Sequence, residues 1–477
     1  MKVNTKSAPQ EKIFLWQRLW AVLSGLRPAF GKTSTFFWFA VAVAGLCIRE
    51  DLAGVTSIVR ALGLYEACYG NLLDMFHSPA FFVDRLAQLW LKLALKIFSP
   101  YVRHGRLVLL GDGVKAPKEG RKMPGVKSLH QESASNSKPE YIMGHSCQAI
   151  SLLVKAQGKC LAVPIISRIH EGVVFSNRTR KTLLDRMLDM LATLSVPFSF
   201  FLVADAYYAA GKVAKALLAE GNHLLAQVRS NAVAYARSPA DDTKRRGRKK
   251  LYGPKVYLRK LFEDKHAFKP TKSPCYDDRN LTIHYRTLDL LWRPVGKLMR
   301  FVLVDYPGRG RVILMCSDLT LGAREIIRLY GLRFKIEVGF KQAMHTLGTY
   351  LYHFWMASMK KISRGSGDQY LHRTSEKYRQ AVRRKIRTYH AHIQTGIIAQ
   401  GMLLYLSACA TAQVWHSFGS WLRTIRPNVL PSEKIVAMAL RNTLPQFLAV
   451  SGHEAILQKF IRPRIDRSRA EGLRLVA

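Results

Sequence analysis

The sequence predicts an α/β protein, with a mixed-sheet core interrupted by a β-rich insertion and flanked by helical N- and C-terminal regions. Three observations predict it. Between residues 105 and 234, short apolar runs alternate with helically spaced stretches. Residues 235–320 carry strand-like runs with no helical period. Residues 1–100 and 390–460 carry long apolar-periodic stretches with little strand alternation. At 477 residues the chain is long enough for about three domains of roughly 150 residues each. The texture divides it at 1–104, 105–234, 235–320, 321–356 and 357–477, and no internal repeat is found.

The elements follow in order. FFWFAVAVAGLCI (36–48) is too short to span a bilayer and runs into Arg49, Glu50 and Asp51, so a buried helix is expected. VTSIVRALGLYEACYGNLLDMF (55–76) predicts two short helices around Gly63, either a helix-turn-helix or ordinary helix packing. RLVLLGD (106–112) is an apolar strand ending in an acid. AISLLVKAQGKCLAVPIISRI (149–169) predicts a hairpin turning at Gln157-Gly158-Lys159. KTLLDRMLDMLATL (181–194) has helical spacing, and FSFFLVADA (198–206) is a second apolar strand ending in an acid. A helix over 207–221 is expected to stop at Gly221, with a further strand at 223–229. KRRGRKK (244–250) reads as a solvated loop, and 324–348 returns to helical spacing. There Ile336, Phe340, Ala343 and Leu347 share one face.

Composition bounds the function. Hydrophobic residues make up 48% of the chain, which excludes wholesale disorder. Lys plus Arg is 74 against 32 Asp plus Glu, a formal charge of +42. Self-repulsion of that size opposes a compact state, and a polyanion such as nucleic acid offsets it. The plainer source is an Arg-rich proteome. Seven cysteines without a CxxC pair argue against a disulfide framework or a zinc ribbon, and fit a reducing compartment. The N-terminus lacks an apolar stretch with a small-residue cleavage site, so no secretory signal is expected.

Asp112 and Asp205 close two apolar strands, where open α/β sheets build their sites. Taken singly, each reads more readily as a turn or capping residue, and only the pair favours a site. If their strands are neighbours, both carboxylates reach one sheet edge and can share cations. Mg²⁺ suits them, because it takes oxygen ligands and relieves the repulsion between two ionised acids. Glu337 is the third candidate. Tyr330, Arg333, Glu337 and Lys341 fall on one helical stripe, which would set a metal ligand between two phosphate-binding cations. The same stripe also reads as an exposed face with ordinary i,i+4 pairs.

The order Asp112, Asp205, Glu337, with a β-rich insert before the Glu helix, resembles the DDE transposases of bacterial insertion sequences. LYGLRFKIEVGFKQAMHTLG resembles the Y-R-E-K signature of one group of them, matching at Tyr330, Arg333 and Glu337. It departs at the last position, where Met344 stands for Lys; Lys341 or His345 are the nearby replacements. VADAYYAAGKVAKALLAEGNHLLAQVRSN and ILMCSDLTLGAREIIRLY resemble the segments around the second acid and before the Glu helix. The resemblance covers about residues 105–350. It implies an RNase H-like core with Asp112, Asp205 and Glu337 holding two Mg²⁺ ions, for which Mn²⁺ would substitute. It also implies a helical N-terminal DNA-binding region, cleavage at transposon ends and joining to target DNA.

Further expectations come with it. Double-stranded DNA would be the partner, bound by a homodimer, in the cytoplasm of a bacterial cell at its nucleoid and with no membrane role. Tyr330, Arg333 and Lys341 would contact DNA phosphate. Trp292 would stack on a flipped base; the alternative is a core aromatic of the insert. The long basic segment 113–145 would lie over DNA as a loop. His130 and His145 have no partner at zinc-ligand spacing and read as hydrogen-bonded or exposed side chains. Two other classes compete with the enzyme: a domesticated, non-catalytic DNA-binding protein, and an RNase H-like nuclease without strand transfer.

Overall fold

Strand alternation on two buried faces builds the centre of the protein. The computed structural model describes residues 8–52, 54–131, 139–178, 181–238, 250–275, 280–419, 424–449 and 456–468. Most of the charge run 244–250, part of the segment 113–145 and the end of the basic C-terminal tail lie outside them.

Eight strands carry the sheet: β1 (Arg106–Pro117), β2 (Tyr141–Ala156), β3 (Lys159–Ile169), β4 (Phe200–Ala204), β5 (His223–Gln227), β6 (Thr282–Trp292), β7 (Lys297–Tyr306) and β8 (Gly310–Cys316). Their order across the sheet is β3-β2-β1-β4-β5-β8-β7-β6. β1, β4 and β5 are parallel, and the remaining neighbours in this order are antiparallel. The hairpin β2–β3 turns at Gln157-Gly158, both at positive φ. The β-rich segment does not form a separate sheet. β8 hydrogen-bonds to β5 and extends the core sheet sideways through β7 and β6. Short turns join β6 to β7 and β7 to β8, and β8 returns across a long excursion of the chain to pair with β5.

β4 and the stretch 107–111 of β1 are apolar or glycine at every position because both faces are covered. Leu107 and Leu109 of β1, with Leu202 of β4, face one core, and Val108, Leu110, Phe201 and Val203 face the other. The second core is closed by two helices, α8 (Ala323–Leu332) and α9 (Phe334–His345), through Ile326, Leu329, Leu332 and Ile336. The helical stretch expected over 324–348 therefore breaks once, at Arg333.

The first core meets the terminal helices. In chain order these are α1 (Ala8–Ser24), α2 (Thr33–Ile48), α3 (Thr56–Ala61), α4 (Cys68–His77) and α5 (Val83–Ile97), then α6 (Leu183–Leu194) and α7 (Gly211–Ala219) between strands. After α9 come α10 (Glu376–Cys409), α11 (Thr411–Phe418), α12 (Glu433–Ala449) and α13 (Ile456–Ile461). The apolar run 36–48 lies in α2 and is buried nearly throughout. α3 and α4 flank the positive-φ Gly63, and Ile58, Leu72, Met75 and Phe76 bury their shared face. α10 begins inside the basic segment 357–388, then runs buried against β3, α2, α5 and α12. No single helix among the described residues is long and apolar enough to cross a membrane; α10 and α11 pass only as a pair bent by 102°.

Two expectations change. The segment 113–145 is not one long loop: β1 continues past Asp112 to Pro117, a short strand forms at Lys127–His130, and β2 begins at Tyr141. Pairing to β2 carries the ladder five residues beyond the acid. The helix expected over 207–221 begins only at Gly211, because Asp205 first caps a 3₁₀ turn at Ala206–Tyr208.

One buried cation ties the N-terminal helices to the end of α9. Arg49 is 3% exposed, and its guanidinium donates to Leu347 O (3.0 Å), Gly54 O (2.9 Å), Ser57 Oγ (2.7 Å) and Gly348 O (3.1 Å). Burial lowers its pKa to about 10, so it stays charged at neutral pH. Gly348, at φ +64, leaves no room for a Cβ beside that guanidinium. Arg49→Ala strands these buried acceptors and is expected to cost about 3 kcal/mol. Thermal unfolding should show a Tm several degrees below that of the wild type.

Candidate active site

Strand register brings the first two acids together. In the parallel pair, Gly111 of β1 stands opposite Ala204 of β4, and the next residues are Asp112 and Asp205. Neighbouring strands lie about 4.8 Å apart, so the two acids emerge side by side at one edge of the sheet. The two-residue period then sets their direction. Leu110 and Val203 face the core closed by α8 and α9, and Asp112 and Asp205 follow them with the same parity. Glu337 comes from that side, in the first turn of α9, where the positive end of the helix dipole favours a carboxylate.

Arg333 makes the junction. It is the turn residue between α8 and α9, and its Nη1 lies 2.6 Å from Asp112 Oδ2 while its Nη2 lies 2.8 Å from Glu337 Oε1. Asp112 Oδ1 accepts from Gly113 N at 2.8 Å, and Asp205 Oδ1 accepts from Tyr207 N at 3.0 Å. Asp205 is thus a turn cap as well as a member of the acid pair. Tyr330 lies beneath the network: its ring centre is 5.7 Å from the Arg333 guanidinium, and its hydroxyl donates to Gln227 Oε1 of β5 at 2.7 Å. Of the stripe read from the sequence, Tyr330, Arg333 and Glu337 join the site. Lys341 is exposed two turns along α9, and His345 is exposed beyond it. Met344 packs against the apolar core, so no cation stands at that point.

Burial raises the Asp112 carboxyl to about 6, against the pull of Arg333 and the Gly113 amide; the negative charges of Asp205 and Glu337 add to the rise. Arg333 is held in its charged form by Asp112, Tyr330 and Glu337, which outweigh its own burial.

A cavity of about 620 Å³ opens beside the acid pair. It is lined by Asp112, Asp205 and Tyr207, with Lys115, Lys127 and His170 around them. Lys127 bridges Glu171 (3.0 Å) and Asp368 (2.9 Å). Tyr207 is 47% exposed at its mouth. Sequence reasoning did not single out Lys115, Lys127 or His170. Lys115 and Lys127 lie in the basic segment 113–145 that the sequence placed over DNA as a whole, whereas His170 comes from beyond β3 and carried no local signal. A larger cavity, about 1,160 Å³, lies away from the acids, between the β2–β3 turn, the β7–β8 turn and α8; Lys159, Arg309, Arg324 and Arg328 line it.

Trp292 belongs to neither cavity. At 7% exposure on the last position of β6 it is a core aromatic, and its ring is not offered to a base. His145 is buried and hydrogen-bonds Tyr352 Oη (2.7 Å) and Pro124 O (2.9 Å), while His130 pairs with Glu140 at 3.6 Å.

The donor set fits a hard divalent cation: carboxylate oxygens on two adjacent strand ends, and a third carboxylate that shares a resident cation with the first. Among the described residues, no three His, Cys, Asp or Glu side chains are gathered as a ready-made metal site. Asp112, Asp205 and Glu337 would hold the ion once their side chains converge.

Over residues 25–277, more than half its length, the sequence matches the DDE superfamily endonuclease family, and the chain belongs to that family. The match takes in most of the N-terminal helices, β1 with Asp112 and β4 with Asp205, and it ends before Glu337. No curated protein matches the sequence. Among solved structures, it is similar to a piggyBac transposase in a synaptic complex with hairpin DNA. The identity is 12% and the TM-score 0.34, over 91% of this chain and 77% of that one. That likeness is too distant to assign chemistry.

The raised Asp112 carboxyl has a measurable sign. A carboxyl whose folded pKa lies above its ordinary value stabilises the fold while protonated, and that contribution is lost as pH rises through about 6. In metal-free protein, the Tm of wild type relative to Asp112→Asn should therefore fall between pH 4 and pH 7. Scanning calorimetry on both proteins checks it, and a pH-independent difference contradicts it.

Proposed function

We propose that this chain is a transposase that cuts double-stranded DNA at the ends of an insertion sequence and joins the freed 3′-hydroxyl to target DNA. The observation that carries the reading is the register of β1 against β4, which sets Asp112 beside Asp205 and turns both toward the helix that bears Glu337. Membership of an endonuclease family supplies the reaction class.

In this reading Asp112, Asp205 and Glu337 bind two Mg²⁺ ions, with Mn²⁺ as a working substitute. Bound there, the ions would supply a nucleophile at neutral pH and charge stabilisation at the leaving oxygen. The chain's own residues do the rest. The paired parallel strands fix the backbone positions of two carboxylates, which lowers the ordering cost of bringing their side chains onto an ion. Arg333 offers a planar, two-pronged donor to phosphate oxygens next to the acids. Tyr330 holds that guanidinium from below, and Lys341 adds positive charge farther along α9. Lys115 and Lys127 place cations on the cavity wall, where a phosphate backbone would enter.

The excess of positive charge supports a DNA partner, since phosphate contacts supply most of the affinity of such proteins. The helical N-terminal region, 1–104, would contribute to DNA binding, and the segments 105–234 and 321–356 would form the catalytic core around the insertion 235–320. Two transposon ends must be held together for coupled cutting, so a homodimer is proposed on DNA.

The test is an excision assay on a plasmid carrying the gene's own flanking DNA. Wild type should excise and Asp205→Asn should not, with nicking reduced by roughly a thousandfold, the rate equivalent of about 4 kcal/mol. DNA affinity of Asp205→Asn should stay at or above the wild-type level, since only a negative charge is removed. Wild-type cutting by Asp205→Asn would refute the site. Tight binding without excision by either protein would favour a non-catalytic DNA-binding protein.

A further inference from the structure

Both oxygens of Asp112 are already engaged. Oδ1 takes the Gly113 amide, and Oδ2 takes Arg333 Nη1 at 2.6 Å. The second prong of the same guanidinium holds Glu337 Oε1 at 2.8 Å. One positive group therefore neutralises two carboxylates that come from different elements, β1 and α9. The inner half of this network is not a loose surface pair, since the Arg333 side chain is 17% exposed and the Asp112 side chain 14%; Glu337, at 41%, is its open end. The Arg333 backbone is the break between α8 and α9, and its head lies over the Tyr330 ring, itself anchored to β5 through Gln227. Without a cation between them, Asp112, Asp205 and Glu337 would repel one another in a poorly solvated pocket.

We propose that Arg333 is a tethered cation that keeps Asp112 and Glu337 together, and that a divalent ion enters the site by displacing its guanidinium. Ion binding and release of Arg333 are then one event, and the cost of breaking two ion pairs weakens ion affinity. Arg333 is here a positioning residue, and the inference rests on the metal-site reading above. It explains why no metal-ready cluster of acids is gathered: a guanidinium between two carboxylates holds them farther apart than a shared ion would.

The experiment is Mn²⁺ binding to the EDTA-stripped full-length protein, without DNA, followed by the loss of the free Mn²⁺ signal in electron paramagnetic resonance. Four proteins are compared: wild type, Arg333→Gln, Arg333→Lys and Asp205→Asn. Arg333→Gln should bind Mn²⁺ about three- to tenfold more tightly than wild type, the gain expected from removing a competing, partly buried ion pair. Arg333→Lys, which reaches only one carboxylate at a time, should fall between them. In the metal-free state Arg333→Gln should melt below wild type, and Mn²⁺ should raise its Tm by more than it raises that of wild type. A role confined to holding the fold would lower the Tm without tightening Mn²⁺ binding.

Asp205→Asn separates the two levels of the argument. It leaves Arg333 and its two partners in place, and it should weaken Mn²⁺ binding. If it does, equal or weaker binding by folded Arg333→Gln overturns the tethered-cation inference alone. Mn²⁺ binding indifferent to Asp205→Asn overturns the metal site, and the inference with it.

Discussion

The parallel pairing of β1 with β4 is the constraint on which the rest of the site depends. It ends one residue short of Asp112 and Asp205, so two carboxylates leave neighbouring strands at the same height. Ionised acids at that spacing repel one another, and a fold that places them there must supply a cation or a proton. Burial raises the Asp112 carboxyl toward neutrality, and Arg333 supplies a cation from the α8–α9 break. The strands can bear this because their apolar residues are packed on both faces, which fixes the backbone on either side.

The helices around the sheet serve the same end. α8 and α9 lie over the face toward which the acids point, and the break at Arg333 aims a guanidinium at Asp112 while leaving Glu337 in the first turn of α9. Arg49 fastens the segment just after α9 to the N-terminal helices: it donates to Leu347 O and Gly348 O there, and to Gly54 O and Ser57 Oγ on its own side. The family match, which spans most of that helical region together with β1 and β4, is consistent with the helices and the sheet forming one inherited unit.

Much of this was legible in the sequence because it depends on short-range periodicity. The apolar runs at 107–110 and 200–204 declare strands buried on both faces; the acid after the second marks the strand end, whereas the strand of the first runs on past Asp112. The hairpin at Gln157-Gly158 and the apolar face Ile336, Phe340, Ala343 and Leu347 were equally local signals. What the sequence could not show was pairing at a distance. Nothing in 235–320 says that β8 joins β5 and widens the core sheet, because a hairpin reads the same wherever it docks. The continuation of β1 to Pro117 was hidden by Gly113 and the basic residues after it; the ladder to β2 and the burial of Val114 and Ala116 stabilise it. The stripe Tyr330, Arg333, Glu337 was found by spacing. Its orientation, inward to Gln227 and Asp112, needed the tertiary structure. For Trp292, burial at the end of β6 agrees with the core-aromatic reading, which the sequence already favoured.

Residues 112, 205 and 337 are proposed to surround a common site for divalent ions. Iron-directed hydroxyl-radical cleavage of the protein backbone tests it most directly: Fe²⁺ replaces Mg²⁺, ascorbate and peroxide generate radicals at the bound ion, and the cut positions are read by mass spectrometry. The account predicts cuts clustered at the end of β4, around Asp112 in β1 and in the first turn of α9, all suppressed by excess Mg²⁺. Cuts at Asp112 and Asp205 without any near Glu337, or a pattern that Mg²⁺ does not suppress, would contradict it.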